Sequence, residues 1–529
     1  MSSFVSRRRA IIAVPVTVAF VVAGVGLAVS PAWADSSVSD YSALSAAFAA
    51  GDPTPSTVTL SADITSNQDL PVPGSAVLVL DLAGYDLTLR QLSLGADSTL
   101  TITDSGSSDP GVLLVGSAFY NEGGIRTTGA TLTIDGQVVV DATGGDSVAG
   151  IGGADGESGG TVTIAGTADV TAQGGANAAG IGGGKNGGGG APTIEGSATV
   201  DATGGTSGAG IGGGLNTGAG APTIQGDATV TAQGGSGAAG IGGGGYSTLG
   251  GGTGGGAILI TDTSDVTANG GAGGTGIGAV GTGGLNSIFV SGSATVSAHG
   301  FGAAVGIGAG YGIGGTVRFT DSSTTTAVGG STAWGVGTGT MANPAEVDVE
   351  DSATLTTSGG LGSIGGVDDA FNDVVVDGEL VIPGGKTLTV PNAGDSVSGD
   401  GILSGGGTVV NHGIISLPDA NVTVANVTLH NYDVTFDGAG GVLTPTGPLR
   451  LLASSMNSGV RSFPTGARSG FLLTGWKAGA TDFNGYSTVT ADVTLTAQWG
   501  SYAATLPTPL ITGQAKVGHD LLADPVAAN

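Results

Sequence analysis

The tetrapeptide Gly-Ile-Gly-Gly starts at Gly150, Gly180, Gly210 and Gly240, evenly spaced each time. Weaker copies follow at Gly276-Ile277-Gly278, Gly306-Ile307-Gly308, Gly335-Val336-Gly337 and Ser363-Ile364-Gly365. A chain that repeats at such a period builds one supersecondary unit many times and stacks the copies, because no single unit buries its own apolar face. Each unit divides into three extended pieces: TVTIAG, TADVTAQGG and AAGIGGG in one copy, PTIEG, SATVDATGG and GAGIGGG in the next. Within the pieces, apolar residues alternate with the period of a strand. Ile134, Ile164, Ile194 and Ile224 form one apolar column, and Val140, Val170, Val200 and Val230 a second. Ala142, Ala172, Ala202 and Ala232 form a third, and Ile151, Ile181, Ile211 and Ile241 a fourth. Between the columns stand polar residues of mixed kind, such as Asp141, Thr171, Asp201 and Thr231. Three short strands per unit, with columns in register, predict an all-β fold. It is a right-handed parallel β-helix, a solenoid in which like residues lie above like at about 4.8 Å per coil. Glycines supply positive φ at its corners. A β-sandwich needs antiparallel hairpins and would not hold one register across so many copies.

The pattern runs beyond the perfect copies. Upstream, VLVLDLAGYDLTLRQLSLGADSTLTITDS (77–105) puts Leu100 and Ile102 where Leu132 and Ile134 lie in the next coil. Downstream, short strands with glycine turns continue to about His430. The solenoid is therefore expected over 57–430, roughly a dozen coils and a rod about 50–60 Å long. DYSALSAAFAAG (40–51) alone has helical spacing. It is expected to lie in an N-terminal cap, 35–56, over the first open coil, since an uncovered edge invites aggregation. TVTLSADIT, VLVLDLAGYDLTL, STLTITDS and the serial AGIGGG coils together resemble the pectate-lyase-like β-helix segments of secreted bacterial surface proteins. That resemblance implies the architecture rather than an activity.

The N-terminus has the organisation of a signal peptide over 1–34. Arg7, Arg8 and Arg9 precede an apolar run from Ala10 to Ser30, and Ala32-Trp33-Ala34 is a small-residue cleavage site. Cleavage would start the mature chain near Asp35 and make the protein secreted or cell-surface. The alternative is an uncleaved anchor, because the apolar run approaches spanning length. The chain has no cysteine, so no disulfide supports the exported fold. Lys and Arg number 13 against 41 Asp and Glu, a net charge of −28. That balance argues against nucleic acid and against anionic membrane surfaces, both of which need clustered cations. No membrane contact is expected once the signal is removed, and the expected state is a monomer.

Composition shifts after His430. NYDVTFDGAGG (431–441), FPTGARSGFLLTGW (463–476) and STVTADVTLTAQW (487–499) make up one module, expected over 431–500. Phe436, Gly440, Gly441, Pro464, Arg468, Gly470, Phe471, Gly475, Trp476, Leu495 and Trp499 resemble the pattern of an internalin-type B repeat. The resemblance implies a small β-grasp-like domain of surface proteins. Leu473 stands where that pattern usually has an aromatic residue, and the stretch after Trp476 is short. Trp476 and Trp499 are the candidates for sugar-stacking platforms, with the module's own core as the alternative role. The last stretch, 501–529, contains LPTPLITGQAKVGHDLLADP, which resembles the opening of an immunoglobulin-like repeat common in actinobacterial secreted proteins. It is expected to be a linker and the truncated start of such a repeat.

Several chemistries can be weighed from the residues. GAGIGG, from Gly208, fits the G-x-G-x-x-G fingerprint of a pyrophosphate loop, but a strand rather than a helix follows it and near-copies flank it, so no nucleotide is expected. No metal or cofactor is expected either. His299, His412, His430 and His519 are scattered, and Gly152-Gly153-Ala154-Asp155 lacks the spacing of a calcium loop. A lyase needs a cation beside its base, and between Arg126 and Arg318 the sequence has only Lys185. A hydrolase needs only paired carboxylates. Asp141 and Asp201 are equivalent outward positions two coils apart, about 10 Å, with Asp169 on the coil between. These three are the catalytic candidates if the chain is an enzyme; otherwise they are solubilising acids on a weakly charged rod. A flat threonine array for ice or another crystal surface is a further alternative. Thr229 and Thr231, with Thr199 and Thr171, suggest one, but Asp169, Asp201 and Asp141 break the columns. The expected function is a non-catalytic, adhesin-like surface protein whose partners are glycans or other cell-surface components.

Overall fold

The structure, a computed structural model, describes residues 36–51, 54–106, 109–116, 122–247, 252–281, 283–284, 287–309, 315–338, 346–360, 362–365, 374–390, 396–411, 414–417, 421–428, 434–444, 452–453, 463–483, 493–501, 510–511 and 523–524. The expected leader, His412, His430 and His519 lie outside the described residues.

Three long sheets share one stack. Sheet A has 16 strands, from Ser36–Val38 to Leu452–Ala453; sheet B has 13, from Ile64–Thr65 to Ile402–Ser404; sheet C has 11, from Asp69–Val72 to Gly362–Gly365. Through the body of the stack each coil contributes one strand to A, then B, then C, and each strand pairs parallel with its equivalent in the next coil. This is a parallel β-helix. The registers reproduce the sequence columns: Ile134 pairs with Ile164, Val140 with Val170 and Ile151 with Ile181. Upstream, Leu132 lies beside Leu100 and Ile134 beside Ile102, as expected. In the last coils a three-stranded parallel sheet, Thr387–Val390, Thr408–Asn411 and Asn426–Thr428, takes the third side.

The stack holds more coils than the uniform period of the GIGG run predicts. Val58 pairs with Leu80 and Leu80 with Ile102, so the first coils are much shorter than the one from Ile134 to Ile164. Val374 pairs with Val397 and Val397 with Ile415, so the late coils are short as well. The final sheet A pair is antiparallel, which leaves fifteen parallel strands and fourteen intervals, a stack about 65–70 Å long at about 4.8 Å each. The short coils lack the Gly-Ile-Gly-Gly tetrapeptide by which the repeat is recognised in the sequence.

The ladder also begins before residue 57. Ser36–Val38 pairs with Ser56–Leu60, so the segment expected to be only a cap supplies the first strand of sheet A. Between them α1 (Tyr41–Ala49) starts at Asp40, whose Oδ1 accepts the Ala43 N–H at 2.9 Å, an N-cap bond. Leu44 and Phe48, one turn apart on α1, are fully buried and join the same core as the strands. The helix packs against Ser36–Val38, Ser56–Leu60 and Asp69–Val72, the first strands of sheets A and C.

One core position departs from its column. Thr325 follows Val266 and Val296 and precedes Leu355, and its buried hydroxyl has no hydrogen-bond partner. An unpaired buried hydroxyl costs about 1–3 kcal/mol, and valine has the same shape without it. Thr325→Val is expected to raise stability by about 1–2 kcal/mol, read as a higher urea midpoint; an unchanged or lower midpoint would show that the hydroxyl is satisfied.

Past the solenoid lies a second, smaller sheet with its own core. Its order is Val434–Asp437, Val493–Ser501, Phe471–Ala478, Thr481–Phe483. The first two strands pair parallel, Phe436 beside Leu495, and the others antiparallel, so the module's opening and closing strands are neighbours, as in a β-grasp. Of 501–529, only Ser501, the end of that closing strand, and the antiparallel pair Leu510–Ile511 and Ala523–Asp524 are described.

Candidate functional site

The GIGG corners carry the pattern of a phosphate cradle. Their amides are already used. Gly210 N donates to Ala239 O, Ile211 N to Gly240 O and Gly213 N to Gly242 O, all at 2.9–3.2 Å. A loop that binds phosphate needs such N–H groups free. The glycines are present because coils stack closely: Gly212 has φ +136°, and a Cβ there would lie 2.0 Å from Gly242 O. The loops that follow stack in the same way. Asn186 N donates to Leu215 O, and a side-chain ladder runs from Ser247 to Asn216, from Asn216 to Asn186 and from Asn186 to Asp155.

The candidate carboxylates lie on the outward face of sheet B. Val139–Thr143, Asp169–Gln173 and Thr199–Thr203 are consecutive strands there. Their register sets Asp141, Thr171 and Asp201 in one column and Val139, Asp169 and Thr199 in the next. Asp141 is half-buried, while Asp169 and Asp201 are exposed. Asp141 and Asp201 are therefore two intervals apart, about 10 Å between backbones, and Asp169 sits diagonally between them. A neighbouring concavity is lined by Gly116, Thr143, Gly144, Gly145, Asp146, Gln173, Gly174 and Gly175, so it takes in the ends of two of these strands but none of the three candidates.

The cations of the solenoid are largely committed. Arg90 chelates Asp69 through two hydrogen bonds at 2.8 Å and lies 3.4 Å from Glu122. Arg126 bonds Glu157 at 2.8 Å. Partial burial acts to raise the Glu157 carboxyl, but Arg126, the Ala154 N–H and the Thr128 hydroxyl hold it below the usual carboxylate range. Lys185 is 3.9 Å from Asp155. Arg318 lies between Asp348 and Glu350, with its guanidinium 5.8 Å from the centre of the Phe289 ring. Apart from Lys386 in the late coils, an enolate-stabilising cation drawn from the described solenoid would have to leave one of these pairs.

Among the described residues no group of three or more His, Asp or Glu is placed to hold a metal ion. His299, the one described histidine, is bonded to Ser297 Oγ at 3.0 Å. No described helix is long and apolar enough to cross a membrane.

Trp476 is buried in the C-terminal module and Trp499 is half-buried against its core. Trp476 is 6% exposed, with Phe436 at 4.9 Å edge-on and Phe463 stacked at 6.1 Å. Trp499 packs against that core and donates its Nε1–H to Gly438 O at 2.8 Å. A Cβ on Gly441 would lie 2.2 Å from the Trp499 ring, which explains that glycine. A ring used as a sugar platform needs an open face, and Trp476 has none.

The polar columns set aside in the sequence as mixed are not mixed on sheet A. There the outward positions beside the isoleucine column are threonine in coil after coil, written plainly as TLTI and TVTI. Comparison of the chain with protein-family models, with curated proteins and with solved structures finds no match.

Proposed function

We propose that this chain is a secreted, non-catalytic surface protein of adhesin-like type, whose β-helical stack presents its outer faces for attachment to a surface or to glycans. The leader pattern over 1–34 supports export, and the B-repeat pattern over 431–500 supports a place on the cell envelope. One observation carries the non-catalytic part. Asp141, Asp169 and Asp201 stand on the open face of a sheet, outside the neighbouring concavity, whereas a glycosidase holds its substrate in a walled cleft. Incubation of the chain with a panel of acidic and neutral polysaccharides is expected to give no turnover. Hydrolysis that disappears in Asp169→Asn or Asp201→Asn would replace this reading with the enzymatic one. A glycan and cell-binding array is expected to give retention, and a silent array would reduce the role to that of a spacer.

A further inference from the structure

We infer that the outward face of sheet A is a binding surface for ice. Thr99, Thr131 and Thr161 form one outward column there, and Thr101, Thr133 and Thr163 the column beside it, so three successive coils carry the pair T-x-T in unbroken register. Thr193 and Thr223 extend the second column by two coils. None of these eight hydroxyls makes a hydrogen bond to the described residues, and all are half-buried or exposed.

Charge sets this strip apart. From Val77 and Val79 to Ser287 and Phe289 neither column contains a charged side chain, in a chain of net charge −28. Arg318, in the next coil, closes it, already held by Asp348 and Glu350. Asp135 and Glu195 stand at one edge, outside both columns. On sheet B, by contrast, Asp141, Asp169, Asp201 and Asp265 interrupt the equivalent columns.

The chemistry of the strip selects its partner. It offers no cation to an anionic surface, and between Thr99 and Thr223 neither column has an aromatic ring on which a sugar could stack. What it offers is a grid. Hydroxyl and methyl recur about every 6.6 Å along a strand and about every 4.8 Å between coils. Each hydroxyl both donates to and accepts from water, while each methyl does neither. Water bonded to the hydroxyls and arranged around the methyls takes on both repeats. A solid whose surface is itself a periodic water lattice can join that layer with little further ordering, the advantage of a preorganised contact.

This inference is independent of the glycan reading above, and the tests separate them. In a freezing microscope the purified full chain is expected to inhibit ice recrystallisation and to facet growing crystals. The variant Thr133→Lys with Thr163→Lys is expected to lose both effects. Thr229→Lys with Thr231→Lys, the same change on sheet B, is expected to keep them. Circular dichroism confirms that each protein is folded, and Thr163→Val, which keeps the shape and removes one hydroxyl, replaces the lysine variant if that fails to fold; it is expected to weaken both effects. Folded wild-type protein with no effect on ice overturns the inference, as does equal loss in the sheet B variant. So does wild-type protein that binds crystalline cellulose or chitin through sheet A and leaves ice untouched.

Discussion

Gly212→Ala is expected to destabilise the solenoid by about 3 kcal/mol or more, seen as a large fall in the urea midpoint. The residue holds φ +136°, a region essentially closed to side chains, and its Cβ would lie 2.0 Å from Gly242 O and 3.0 Å from Gly242 C. Neither partner can give way. Ile211 and Gly213, on either side, are bonded to Gly240 and Gly242, and Gly242 is packed in the same way against Gly278. In a stack where each coil contacts only its neighbours, a displaced central coil loses two interfaces. Gly156→Ala is the control. Gly156 also has positive φ, at +77°, but a Cβ there would meet nothing within 4 Å. Its cost is expected to stay near the conformational term alone, about 1–2 kcal/mol. Equal midpoints for the two variants would show that backbone conformation, not coil contact, explains the glycine.

Opening the N-terminal cap is expected to make the chain aggregate. Leu44 and Phe48 are fully buried by α1 against the first strands of sheets A and C. Those strands lead sheets of 16 and 11 strands, so without the helix they offer neighbouring copies a ready edge. Replacing both residues by lysine leaves the chain length unchanged and pushes the helix off. Phe48→Ala alone is expected to cost about 3–5 kcal/mol. Light scattering after gel filtration checks the first outcome. A monodisperse double variant with wild-type stability would mean that α1 decorates the stack and does not seal it.

How much of this was legible in the sequence depended on which residues carried a marker. The GIGG glycines announced the coil corner, and Ile151 to Ile364 pair along sheet C at the intervals the sequence shows. The offset of Asp169 from Asp141 and Asp201 followed from strand period alone. The short coils at both ends carry no such corner, so Val58 to Leu80 and Val397 to Ile415 read as loose alternation and the coil count fell short. The threonines of sheet A stand in plain view in TLTI and TVTI, but in sequence they read as filler between the apolar columns. Only the pairing shows that they face outward together in two unbroken rows. The loops after GIGG vary most from copy to copy. Their stacking depends on backbone bonds and an asparagine ladder, which residue type alone does not reveal.

The longest coil of the GIGG run has a meaning of its own. From Ile241 to its partner Ile277 the chain takes six more positions than from Ile211 to Ile241, yet the columns on either side stay in register. From Ile224 to Thr229 and from Ile260 to Asp265 the step is the same, so the corner from sheet A to sheet B did not lengthen. Gly212 and Thr223 bound the corner from sheet C to sheet A in one coil, and Gly242 and Leu259, the partner of Thr223, bound it in the next. The second of these stretches is longer by the same six positions. All the slack is taken up there. Two edges of the coil thus act as a fixed ruler, while the third lets out chain like a seam allowance. Six further positions enter that seam while the strands of sheets A, B and C on either side keep their register.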